Sequence, residues 1–188
     1  YLVNYTFLDF CLRITGCNGI TKSGQIVNTD AQFISEQLST LGIDVFWHTV
    51  VGDNRKRIME ALRLAADRSD IIITTGGLGP TMDDLSKETM AEFLGMELEI
   101  HEPSLNRIQS YFTTMGREMT DNNKKQALFP KEAIVLKNDN GTAPGAIIEK
   151  NDRIHIILPG PPSELQPMFV NEVKPYLAGK TVDEIYSR

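Results

Sequence analysis

Cysteine is nearly absent from this chain: Cys11 and Cys17 are the only two in 188 residues. Neither belongs to a Cys-x-x-Cys pair or a Cys/His cluster, so a disulfide framework and a zinc site both lack support, and both residues read as reduced thiols. No apolar run approaches the roughly 18 to 20 residues of a membrane span, and the start lacks the basic, apolar, small-residue order of a signal peptide. The expected location is the cytoplasm, without a membrane partner. Basic charge is also in deficit, with 19 Lys+Arg against 25 Asp+Glu, a net charge of -6 and a pI near 5.1. That balance opposes sequence-independent binding to a phosphate backbone, so nucleic acid is not an expected partner. The three histidines, His48, His101 and His155, fall on different elements, and their spacing supports no Ser/His/Asp or Cys/His constellation.

What the chain does have is enough apolar residue, 41%, for one globular domain over 1–188, with 171–188 a candidate start of a connection to a downstream region. A domain of this length buries about 70% of its unfolded surface and needs no staple. Phe7 to Thr15 reads as a strand. Ala31, Ile34, Leu38 and Leu41 fall at helical spacing, with Asn28 or Thr29 as cap and Gly42 as stop. Ile43 to Val51 alternates as a strand, and Ile58, Ala61, Leu62 and Ala65 return to the helical period. Ile71 to Thr75 is β-branched without polar alternation, as expected of a strand covered on both faces. Ser86 can cap a helix that ends at Gly95, Met96 to Ile100 suggests an edge strand, and Leu105 to Met115 a helix closed by Gly116. A short helix over 122–128 is expected to stop at Pro130. Ala133 to Leu136, Ala146 to Glu149 and Arg153 to Leu158 read as strands, the last two joined by a hairpin turn at Asn151-Asp152. A final helix is capped by Ser163, with Pro167 expected in its first turn. The pattern predicts an α/β fold with a mixed sheet.

In such a fold ligands bind beyond the carboxyl ends of the strands. Gly76-Gly77-Leu78-Gly79-Pro80-Thr81 occupies that position, and its glycines let backbone N–H groups approach an anion such as a pyrophosphate. Asp83 and Asp84 follow; carboxylate oxygens there suit a divalent cation such as Mg²⁺ or Mn²⁺, or else serve as helix caps. Asp53 emerges after another strand, either as a ligand or base or as an N-cap. Asn138 to Gly145 and Pro159 to Glu164 form two further loops of small, rigid residues, in which Thr142 and Glu164 could meet a ligand or be structural.

These segments together, Ser23-Gly24-Gln25-Ile26-Val27-Asn28-Thr29, Val50-Val51-Gly52-Asp53-Asn54, Thr75 to Ser86, Asn123-x-x-Gln126-Ala127, Asn140 to Gly145 and Leu158-Pro159-Gly160-x-Pro162-x-Glu164, resemble the N-terminal domain of the competence/damage-inducible protein A (CinA) family. That domain lies within the molybdopterin-binding group of MogA and MoaB, and eukaryotic FAD synthases carry a related one. The resemblance runs from about Gly16 onward. It implies a three-layer α/β/α sandwich of the MogA type and, for the CinA branch, an ADP-ribose pyrophosphatase-type hydrolase dependent on Mg, Mn or Co. Gly76, Gly77, Gly79 and Thr81 would then contact phosphate. Asp53 and Asp84 would be the catalytic acids, Asp84 and Asp83 the metal ligands, and Gly141, Thr142, Gly145 and Gly160 would line the remaining pocket. Two alternatives stand beside hydrolysis: a molybdopterin adenylyltransferase, and a nucleotide- or pterin-binding module without turnover, with molybdopterin as the ligand. The resemblance leans to a homodimer or homotrimer.

One departure bears on activity. The family has Gly-Asp-Glu where this chain has the longer Gly16-Cys17-Asn18-Gly19-Ile20-Thr21-Lys22-Ser23-Gly24, which lacks the acidic pair and offers Lys22 as a phosphate contact instead. If those acids serve the chemistry, the chain would bind nucleotide and hydrolyse it slowly. Longer family members continue into further domains, one of which deamidates nicotinamide mononucleotide; no deamidase is expected of the residues present.

Overall fold

The structure is a computed structural model and describes residues 7–13 and 29–186, with side chains over 29–180. The Gly16 to Gly24 departure and Lys22 lie outside the described residues. β1 (Phe7–Arg13), β2 (Asp44–Val51), β3 (Ile71–Thr75) and β8 (Arg153–Leu158) run parallel, and β7 (Gly145–Lys150) and β6 (Ile134–Leu136) complete the six-stranded order β2-β1-β3-β8-β7-β6. β7 is antiparallel to both its neighbours, so the sheet is mixed, as expected.

Period-two alternation in the central strands builds two cores. Ile71, Ile73, Ile147, Ile156 and Leu158 face α1 (Thr29–Ser39), α6 (Pro162–Met168) and the segment beyond it, meeting Ile34, Leu38, Leu165, Phe169, Val173 and Leu177. Ile72, Ile148 and Ile157 face α2 (Arg55–Ala66) and α3 (Ser86–Leu94), meeting Ile58, Leu62, Met90 and Leu94. The result is three layers, and every residue of β3 is buried because both faces are covered. Ile73, at 0% exposure, truncated to Ala would cost about 2 to 5 kcal/mol.

Between α3 and β6 the chain makes an excursion through β4 (Leu98–Ile100), α4 (Glu102–Thr114), α5 (Asp121–Lys124) with a 3₁₀ turn Lys125–Ala127, and β5 (Leu128–Pro130). The helix expected over 122–128 ends early. Leu128 to Pro130 instead pairs antiparallel with β4, and Pro130 sits at the end of this ladder, where a missing N–H is tolerated. Gly42, Gly95 and Gly116 all take left-handed φ, so these helix stops are as expected. Asn151 and Asp152 have φ of 54° and 57°, the signature of a type I′ hairpin turn.

Two caps differ from expectation. Ser86 is the first helical residue of α3 rather than its cap, and Leu85 holds the cap position without a side-chain bond. In α6 Pro161 is the cap residue, and Pro167 lies near the helix end, not in the first turn. After α6 the chain widens into a π-helical turn, Phe169–Val173, before α7 (Lys174–Tyr186). Among the described residues no helix is long and apolar enough to cross a membrane.

Candidate functional site

The parallel strands all end on one edge of the sheet, and because β7 is antiparallel it begins there. The loops 52–54, 76–85, 137–144 and 159–161 therefore share that edge. Leaving β3, Gly76 and Gly77 adopt φ of 83° and 70°, which side chains rarely tolerate. The Gly76 N–H donates to Leu158 O at 2.9 Å and the Ser86 N–H to Gly77 O at 3.3 Å, so the loop is pinned to β8 at one end and to α3 at the other.

In the middle of the loop Asp84, which is buried, turns its Oδ2 inward. That oxygen accepts from the Thr81 N–H at 3.0 Å and the Thr81 hydroxyl at 2.5 Å, and the Asp84 N–H returns to Thr81 O at 3.1 Å. The carboxylate lies over Gly79, where an added Cβ would sit 2.5 Å from Oδ2, so any larger residue there would push Asp84 away from Thr81. Among the described residues the backbone N–H groups of Leu78 and Gly79 have no acceptor, which leaves donors for an anion.

Two lysines support this loop from behind. Lys87 is 3% exposed. Its Nζ donates to the carbonyls of Lys125 and Gln126 at 2.9 and 3.0 Å and lies 4.3 Å from the centroid of the Phe129 ring. Burial pushes its pKa down to about 8, against the pull of Glu88 and with a smaller push from Lys125. Lys125 Nζ donates in turn to Thr81 O at 3.2 Å and to Asp84 O. Glu88 Oε1 lies 3.4 Å from the same ammonium, an ion pair without hydrogen-bond geometry, and among the described residues neither Glu88 oxygen has a hydrogen-bond partner.

The neighbouring loop before β7 is held by side-chain amides. Buried Asn138 donates to Ala143 O at 2.9 Å and Glu164 Oε2 at 2.6 Å, and accepts the Asn140 N–H at 3.0 Å. A Cβ on Gly141 would collide with the Glu164 carboxylate, and one on Gly145 would lie 2.7 Å from Ile157 O. Thr142 Oγ1 accepts from Gln126 Nε2 at 3.3 Å, linking this loop to the 3₁₀ turn. A cavity of about 250 Å³ opens between this loop and α4, lined by Arg107, Tyr111, Asn138, Gly141, Thr142 and Pro144 among others. Arg107 donates to Asn138 O at 2.5 Å and Asp139 Oδ1 at 2.8 Å.

Gly76, Gly77, Gly79, Thr81, Asp83 and Asp84 thus share one loop, Gly141, Thr142 and Gly160 lie in adjacent loops of the same edge, and Gly145 opens β7 beside them. Asp53 is on that edge too, but β1 separates β2 from β3, which places it two strand spacings, about 10 Å, to the side. The cap of α2 is Asn54, whose side chain accepts the Arg57 N–H at 3.2 Å, not Asp53. Asp53 and Asp83 are exposed. Among the described residues no three Asp, Glu, His or Cys side chains converge as a metal cage. A divalent cation here would draw further oxygens from phosphate groups and water, the habit of Mg²⁺.

Sequence reasoning missed Lys87, Lys125, Asn138 and Arg107. Only Lys87 carried a signal: it stands at helical spacing from Met90, Ala91 and Leu94, all on the buried face of α3.

The model of the family described as "Probable molybdopterin binding domain" matches residues 11–179. Among curated proteins, a competence-damage inducible protein of Thermoanaerobacter pseudethanolicus is 56% identical over 165 residues, 88% of this chain and 40% of that one. A protein of the same description from Clostridioides difficile is 52% identical over 165 residues, with the same coverage. The chain spans about 40% of the length of these relatives. The crystal structure of the protein CinA from Thermoplasma acidophilum superimposes with a TM-score of 0.80 at 34% identity, over 92% of this chain and 98% of that one. The molybdopterin biosynthesis enzyme MoaB of Thermus thermophilus shares the fold, with a TM-score of 0.56 at 20% identity over 92% of this chain and 94% of that one.

Proposed function

Because this chain belongs to the molybdopterin-binding domain family, and within it to the CinA-like proteins, we propose that it binds a small phosphate-bearing ligand, a pterin phosphate of the molybdopterin class or a nucleoside diphosphate. The observation that carries this reading is the Gly76 to Thr81 loop. Its carbonyls at Gly77 and Thr81 are already engaged, whereas the N–H groups of Leu78 and Gly79 meet no acceptor among the described residues. Phosphate would lie on those donors, and the ring portion beside Thr142, Gly145 and Gly160.

Hydrolysis of ADP-ribose is the second reading, favoured by Asp53 and Asp83, two exposed carboxylates on the edge that carries the loop. In that reading Asp83 and Asp84, with Asp53 to the side, would help hold a Mg²⁺, Mn²⁺ or Co²⁺ ion that neutralises phosphate charge. A homodimer or homotrimer belongs to the same proposal and is read by light scattering.

The test combines calorimetry with product analysis. Purified chain titrated with ADP-ribose, AMP and a stable pterin phosphate should give saturable binding to at least one. AMP release from ADP-ribose in Mg²⁺, Mn²⁺ or Co²⁺ against EDTA then separates an enzyme from a binding module. Absence of binding to all three would overturn the proposal.

A further inference from the structure

The peptide unit is planar and trans, so a carbonyl fixed in one direction fixes the next N–H in the opposite one. Lys125 Nζ holds the carbonyls of Thr81 and Asp84. The N–H groups that follow, those of Met82 and Leu85, must therefore point away from Lys125. Gly77 O is likewise taken by the Ser86 N–H, which turns the Leu78 N–H away from α3. Lys125 is not free to drift, because Lys87 donates to its carbonyl and to that of Gln126. The two lysines form a clasp: Lys87, on α3, fixes the 3₁₀ turn, and Lys125, on that turn, fixes the loop that leads into α3.

We infer that Lys125 is a positioning residue of the phosphate loop, orienting its amides by occupying the carbonyls of Thr81 and Asp84 and placing an ammonium behind the bound anion. This rests on the phosphate-binding reading above. The ammonium does more than fill space. Its Nζ lies 3.4 Å from Glu88 Oε1 and its side chain is 25% exposed, so it offsets that carboxylate's repulsion of an anion at the loop.

The test uses the full chain and inorganic pyrophosphate as probe. Lys125→Met keeps the stem and removes the donors and charge, while Lys125→Arg restores both. Calorimetry should show pyrophosphate binding weakened about tenfold or more in Lys125→Met, the scale of lost charge-assisted hydrogen bonds, and largely recovered in Lys125→Arg. Amide resonances of Met82 and Leu85 should move in the unliganded Lys125→Met protein, with the β3 and β8 resonances unchanged.

A role limited to stability would lower the melting temperature yet leave the affinity of the folded fraction intact, and that result overturns the inference. If Lys125→Met does not fold, unaltered Met82 and Leu85 shifts and unaltered pyrophosphate affinity in a Lys125→Gln variant would overturn it equally. Failure of the unsubstituted chain to bind pyrophosphate would instead count against the phosphate-binding reading itself, so the two failures are distinguishable.

Discussion

The loop after β3 and the loop before β7 reach the same edge of the sheet and are built on opposite plans. In the first, backbone carbonyls are occupied, Gly77 O by Ser86 and Thr81 O and Asp84 O by Lys125, and amides are left outward. In the second, side-chain amides bond the backbone and the Glu164 carboxylate, with Asn138 using both its amide nitrogen and its oxygen. Asn140 does something further there. Its Nδ2 donates to Ser163 O at 2.8 Å, the carbonyl that in a regular helix would accept from residue 167, where Pro167 has no N–H to give. The first loop therefore offers charge-seeking donors, and the second offers a fixed shape anchored to α6.

The comparison can be broken most sharply at Gly145. An added Cβ there would meet Ile157 O at 2.7 Å and Met168 Sδ at 2.6 Å, and a backbone oxygen inside the sheet cannot step aside. Gly145→Ala should lose about 3 kcal/mol in urea unfolding, while the folded fraction keeps its pyrophosphate affinity. Asn138→Ala should lose about 2 kcal/mol, since it strips partners from buried groups, again with affinity maintained. Gly79→Ala should show the reverse balance. Asp84 must swing away from Thr81 to make room, so stability should fall by only about 1 kcal/mol while pyrophosphate affinity falls about tenfold.

The last effect is one of pH. Lys87 has its folded pKa lowered from 10.5 to about 8, so the unfolded chain binds the proton more readily. Stability should therefore rise between about pH 8 and 10.5 and be lower beneath that window, by an amount of the order of 3 kcal/mol. Urea unfolding across this range checks it, and Lys87→Met should abolish the rise. A slope that persists in Lys87→Met would assign the titration elsewhere.

The order of elements was legible in the sequence because its signals are local. The β-branched run of Ile71 to Thr75, the glycines at helix ends and the Asn151-Asp152 turn each dictate their own geometry. Leu128 to Pro130 was not legible, since three residues ending in proline have no strand pattern until Leu98 to Ile100 is brought beside them. The glycines of the site could be read for the same local reason. Lys125 could not, because it acquires its role only when a residue 44 positions away presents its carbonyl. Asp84, expected as a metal ligand and catalytic acid, is seen bonding Thr81 across Gly79. Asp84→Asn keeps an acceptor for that bond and Asp84→Ala does not, so comparing their AMP release with their binding separates chemistry from loop shape.

The central claim is that a phosphate group lies on the amides of the loop after β3. It is tested most directly by titrating isotopically labelled chain with pyrophosphate and following amide shifts. The account predicts saturable shifts concentrated at Leu78, Gly79, Met82 and Leu85; saturable shifts confined to other surfaces, such as α2, would contradict it.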